Sequence, residues 1–150
     1  MVRLEEINEK NWLEVRRLAV KEEQRRFLDT PIGIIARGYL YRDCNSRVWA
    51  IRDGDAPVGL CLVRDLDEEP ACYDLQQFMV DARHQGRGVG AAALKEVIRR
   101  LRAEGKYPCV EVCVHRDDIP ALRMYEKAGF EDTGYVDEGA PECVNLRLRF

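Results

Sequence analysis

The stretch Phe78-Met79-Val80-Asp81-Ala82-Arg83-His84-Gln85-Gly86-Arg87-Gly88-Val89-Gly90 constrains this chain more than any other. An apolar run stops at Val80, five polar or small residues follow, and glycine then alternates with other residues into a helical pattern. Successive glycines let the backbone turn sharply and aim several N–H groups at one point. The helix that opens there adds unpaired N–H groups and the positive end of its dipole. A turn of this kind suits a phosphate. The plain alternative is an ordinary strand-to-helix turn.

Gly86-x-Gly88-x-x-Ala91 formally fits the dinucleotide fingerprint, but that motif starts tightly after its strand. Here five residues separate Val80 from Gly86, and the acid near the expected offset, Glu111, falls within a strand pattern. No Gly-Lys-Ser/Thr triplet is present, which excludes a P-loop. A second motif, about 30 residues further on, runs Asp118-Ile119-Pro120-Ala121-Leu122-Arg123-Met124-Tyr125-Glu126-Lys127-Ala128-Gly129-Phe130. Together the two stretches resemble the GNAT N-acetyltransferase superfamily. Gln85-x-x-Gly88-x-Gly90 is similar to its acetyl-CoA pyrophosphate loop, and the second stretch to its N-x-x-A-x-x-x-Y-x-K-x-G-F segment. Asp118 stands where most members have Asn, which removes an amide donor but keeps a good helix cap.

The resemblance covers essentially the whole chain. It implies one α/β domain, residues 1–150, with a mixed and mostly antiparallel sheet of roughly six to seven strands. About four helices flank the sheet, which splays between its fourth and fifth strands. It implies acetyl-CoA as co-substrate. Main-chain groups of Phe78, Met79 and Val80 would bond the pantetheine amides like an added strand. The amides of Gln85, Gly86, Arg87, Gly88, Val89 and Gly90 would hold the pyrophosphate, with Asp118 and Tyr125 beside the pantetheine arm. Tyr125 matches the family's general acid near the thioester sulfur; its structural alternative is a buried tyrosine with a satisfied hydroxyl.

An alkyl ammonium has a pKa of about 10, so something must accept its proton before it can attack a thioester. Asp74 lies six residues before Val80, where some members carry a catalytic carboxylate. Period two puts it on one face with Gln76 and Phe78. A solvent-facing Asp74 and a water chain are the alternatives, and His115 is a weaker candidate base. The run Tyr73 to Asp81, the glycine loop, Val2-Arg3-Leu4, Val20 to Gln24 and Phe27 look most like the spermine/spermidine (diamine) acetyltransferase subgroup. A polycation would be steered by Glu22, Glu23, Asp29, Asp65, Asp67, Glu68, Glu69, Asp137, Glu138 and Glu142. Other small amines (an aminoglycoside, an amino acid, a peptide N-terminus) are open alternatives. A non-catalytic acyl-CoA sensor and a Rossmann-type redox module stand further off.

The rest of the chain agrees with a soluble domain. Hydrophobic residues make up 46% and charged residues 34%, a globular balance. The net charge of −3 gives nucleic acid no electrostatic support. No apolar run approaches a membrane span, and the first residues lack the apolar core of a signal peptide. A cytoplasmic location is therefore expected, and a homodimer is compatible with the resemblance. Six cysteines (44, 61, 72, 109, 113 and 143) form no metal-ligand spacing, and those in strand patterns are expected as buried free thiols. Asn11 and Glu14 suggest a capped helix with Trp12, Val15, Leu18 and Ala19 facing inward. Thr30-Pro31 opens another, whose apolar face is Ile32, Ile35, Ala36, Tyr39 and Leu40. A hairpin turns at Asp53-Gly54, 65–70 form an acidic loop, Ala91, Ala92 and Ala93 bring the next helix onto the sheet, and 130–136 pair with 143–149.

Overall fold

The hairpin forms one residue later than the sequence suggests, with Asp53 paired to Ala56 around Gly54 and Asp55, and Val58 is the extra residue of a bulge opposite Ile51 and Arg52. A computed structural model describes residues 1–150. The chain runs β1 (Val2–Glu6), α1 (Trp12–Val15), α2 (Pro31–Leu40), β2 (Arg47–Asp53), β3 (Ala56–Leu66), β4 (Cys72–Val80) and α3 (Val89–Glu104). It continues through β5 (Cys109–His115), α4 (Ile119–Lys127), β6 (Glu131–Asp132) and β7 (Cys143–Arg149). The seven strands lie in the order β1-β2-β3-β4-β5-β7-β6, antiparallel throughout except between β4 and β5.

Alternation along the strands sends side chains into two separate cores. On one face Val63, Tyr73, Leu75, Val110, Val112 and Val114 pack beneath α3 and α4, joined by Val89, Ala93, Val97 and Leu101. On the other, Ala50, Leu60, Leu62 and Met79 pack against Val15, Leu18 and Ile34. The α3 stripe is the one its four-residue spacing predicts. Of the three alanines at its start only Ala93 is buried; Ala91 and Ala92 are exposed.

Helix α2 is rotated from expectation. Pro31, Ile34 and Gly38 are buried, whereas Ile32, Tyr39 and Leu40 are exposed. Gly38 explains the rotation. A Cβ there would sit 2.4 Å from Val48 Cγ2, so the helix approaches β2 along its glycine. Ile34→Ala, at a fully buried side chain, should cost about 2–5 kcal/mol in urea unfolding. Ile32→Ala should change stability by less than about 0.5 kcal/mol. Equal losses would restore the face that the periodicity suggests.

Other expectations are corrected too. Helix α1 is four residues long, and Asn11 does not cap it through its side chain. Instead the buried Asn11 accepts from the Asn8 N–H at 2.8 Å and donates to the Glu6 carbonyl at 2.9 Å. Residues Glu22–Phe27 form a 3-10 helix. Asp65 is no loop residue: it lies within β3, one residue before its end, buried and paired with Arg47 at 3.2 Å and Lys106 at 2.7 Å. All six thiols are free, but Cys113 is exposed and Cys44 and Cys143 half-buried. The closing pair is short, since β6 holds two residues.

Candidate active site

The site begins where the sheet comes apart. Strands β4 and β5 pair only at Tyr73–Val110 and Asp74–Glu111. Beyond that rung β4 stays on β3, with Met79 opposite Leu60 and the Asp81 N–H bonded to the Val58 carbonyl at 2.8 Å. Antiparallel alternation then ties the Met79 main chain to β3 and turns that of Phe78 and Val80 toward the split. Met79 therefore brings its side chain, not the main-chain groups expected of it.

After β4 the chain is clamped. The buried Asp81 carboxylate accepts from the Ala19 N–H at 3.0 Å, the Arg83 N–H at 3.1 Å and the Arg83 Nε at 2.8 Å. The Gln85 side chain donates to the Val80 carbonyl at 2.9 Å and exchanges hydrogen bonds with Gln24, at 2.8 and 3.1 Å. That amide pair ties the glycine loop to the 3-10 helix at Glu22–Phe27. Gly86 and Gly88 take φ of +76° and +78°, a region costly for any other residue. Nothing lies within 4 Å of where a Cβ on either would point.

The backbone N–H groups from Gln85 to Ala91 make no hydrogen bond within the protein. They open on a cavity of about 510 Å³, lined by Phe78, Met79, Val80, Gly86, Gly88 and Asp118 among others. Gln85, Gly90, Arg123 and Lys127 also reach it. Unpaired amides at a helix start, open space before two glycines and nearby cations fit a pyrophosphate. Val89 points its side chain into the core and offers only its N–H, while the exposed Arg87 lies off the cavity wall. Val20, Gln24 and Leu28, on the opposite wall, were not foreseen as cofactor contacts; nothing in their local pattern marks them.

Tyr125 is buried on α4 behind Phe78, edge-on to it at 6.4 Å and to Phe130 at 5.2 Å. Its hydroxyl has no hydrogen-bond partner in the protein, unlike that of a structural tyrosine. Burial pushes its pKa up, so the phenol stays a neutral donor. Asp118 caps α4 through the Ala121 N–H at 3.4 Å, and burial raises its pKa also.

Asp74 does not share a face with Phe78. Leu62 faces Gln77 and Val63 faces Leu75, so Gln76 is the extra residue of a bulge that shifts the alternation. Tyr73, Leu75 and Phe78 consequently all serve the α3–α4 face, and Asp74 lies on the opposite one. Its side chain is 14% exposed and takes the Arg64 Nε at 2.8 Å. Burial raises its pKa, Arg64 opposes that, and Glu111 adds to it. His115 accepts the Asp117 N–H on Nδ1 at 3.0 Å. In the neutral ring the proton then sits on Nε2, leaving no free lone pair for a base.

A glycine loop of free amides at the mouth of a split, mostly antiparallel sheet gives this α/β domain a site shaped for a phosphate group beside the gap. The sequence profile of the acetyltransferase (GNAT) family matches residues 12–130, and the chain belongs to that family. It is an acetyl-CoA-dependent N-acetyltransferase. The spermine/spermidine N(1)-acetyltransferase of Bacillus subtilis (strain 168) is 25% identical over 130 residues, 87% of this chain and 78% of that one. The L-amino acid N-acetyltransferase AaaT of Escherichia coli (strain K12) is 32% identical over 84 residues, 55% of this chain and 51% of that protein. A GNAT family acetyltransferase from Elizabethkingia anophelis, solved with acetyl-CoA bound, has a TM-score of 0.68 at 15% identity, covering 99% of this chain and 98% of its own. That last likeness is one of fold.

Proposed function

We propose that the chain moves the acetyl group of acetyl-CoA to a primary amine of a polyamine such as spermidine or spermine. The observation that carries the transferase reading is the unbroken run of unpaired N–H groups from Gln85 to Ala91 beside the split. Acetyl-CoA supplies the activated acetyl group. The amides from Gln85 to Gly90 hold its pyrophosphate, and Phe78 and Val80 offer main-chain bonds along the split. Asp74 accepts the proton of the incoming amine, directly or through water, as nitrogen bonds to the carbonyl carbon. Tyr125 donates its proton to the sulfur as the carbon–sulfur bond breaks. A reducing cytoplasmic setting accords with six free thiols.

The polyamine reading rests on the B. subtilis relative and on exposed acids. Asp65 is buried and Asp29 is taken by Arg37 at 2.8 Å, so neither serves. Glu22, Glu23, Asp67, Glu68, Glu69, Asp137, Glu138 and Glu142 remain exposed. Screening weakens their pull on a polycation, so KM for spermidine should rise several-fold between roughly 20 mM and 300 mM salt. Initial rates across that range check it. A flat dependence, or better turnover of amino acids, would replace the polyamine by the acceptor class of the E. coli relative.

A further inference from the structure

The last rung before the split is part of a longer row. Register places Arg64 opposite Asp74, Asp74 opposite Glu111, and Glu111 opposite Arg147, one residue from each of β3, β4, β5 and β7. Arg64 bonds Asp74 at 2.8 Å, and Arg147 reaches both Glu111 oxygens at 3.3 and 3.4 Å. The Cys72 thiol adds a contact to Glu111 at 3.5 Å. Both Glu111 oxygens are thus engaged, while Asp74 Oδ1 has no partner in the protein and is not sealed from solvent. Two carboxylates face each other across the only parallel pairing, each held by its own arginine on an outer strand.

We infer that Glu111 is a positioning residue for the transfer: set beside Asp74 on the last rung before the split, it makes that carboxylate a better proton acceptor for the amine, and Arg147 limits the effect. The inference rests on Asp74 being the acceptor named above. Like charges on adjacent strands disfavour one another's ionised form, and a partner arginine offsets that. The groups facing Asp74 are Arg64 from β3, itself stacked under Tyr41 at 4.3 Å, Glu111 and Cys113 from β5, and Cys72 from its own strand. Of these Glu111 alone is an acid that a near-isosteric amide can neutralise without touching Asp74's own ion pair.

The sign of the effect is what separates tuning from mere support. Glu111→Gln removes the like charge, so Asp74 should bind its proton more weakly. Arg147→Gln exposes the Glu111 charge, so Asp74 should bind it more tightly. Below the Asp74 pKa, kcat/KM for the amine falls by one proton more than the amine's own ionisation requires, giving an inflection. That inflection should move to lower pH in Glu111→Gln and to higher pH in Arg147→Gln, each by about half to one pH unit, a three- to tenfold change. Carbon-13 titration of the Asp74 carboxyl in the free enzyme should show the same two shifts, and it carries the test from Glu111→Gln alone if Arg147→Gln does not fold.

Asp74→Asn should abolish the inflection. If it survives there, the proton-acceptor reading falls and the inference with it. If Asp74→Asn abolishes it but Glu111→Gln leaves inflection and carboxyl titration unmoved, the inference alone is overturned. Shifts of the same direction in both variants would also overturn it, since that marks general damage to the rung.

Discussion

Tyr125→Phe is expected to lower kcat about 10²-fold while acetyl-CoA affinity stays within about twofold. The substitution keeps the ring that packs on Phe78 and Phe130 and removes only a hydroxyl with no partner in the protein. A positioned general acid contributes about 10²–10⁴-fold, and a thiolate is a fairly good leaving group, which sets the lower end. Stability should change little, because the hydroxyl bonds nothing in the protein and is not sealed from solvent, so its removal breaks no contact. Stopped-time assays of kcat and urea unfolding on the same preparation read both quantities. Wild-type kcat in a destabilised protein would make Tyr125 a core residue and move the proton donor elsewhere.

Gly88→Glu should abolish measurable acetyl-CoA binding. At φ +78° any side chain strains the loop by about 1–2 kcal/mol. The carboxylate adds a negative charge beside the amides from Gln85 to Ala91, where the pyrophosphate would lie. Losing even two charge-assisted bonds, each about 1.5–3 kcal/mol, lowers affinity by more than about 10²-fold. Gly88 is exposed and a Cβ built on it meets nothing within 4 Å, so the fold should persist, as far-ultraviolet circular dichroism can verify. Affinity unchanged by calorimetry would remove the loop from the cofactor site.

Much of this molecule is legible in its sequence, and the failures have physical causes. The α3 stripe of Val89, Ala93, Val97 and Leu101 reads directly, because a long helix over a sheet obeys one period. The splay between the fourth and fifth strands is implied by two motifs that resemble a known family, and the sheet does part between β4 and β5. Helix α2 misled because its contact runs through Gly38, which a search for large apolar residues cannot find. Period two puts Asp74 on the wrong face because a single bulge at Gln76 inverts every later side chain, and a bulge leaves no mark in an alternation count. The pairing of Glu111 with Asp74 was equally hidden. Parallel register between strands separated by a helix is set in three dimensions, and nothing local marks Glu111 as the residue on the last rung.

In the proposed reaction this chain passes an acetyl group from acetyl-CoA to a primary amine at the split between β4 and β5. Incubation of the purified protein with acetyl-CoA and a panel of amines, following thiol release and product mass together, tests it most directly. The expected result is stoichiometric free CoA and a singly acetylated amine, fastest with spermidine or spermine and slow with neutral or anionic amines. Acetyl-CoA bound tightly but released unacetylated with every amine, or thiol release by hydrolysis alone, would contradict it.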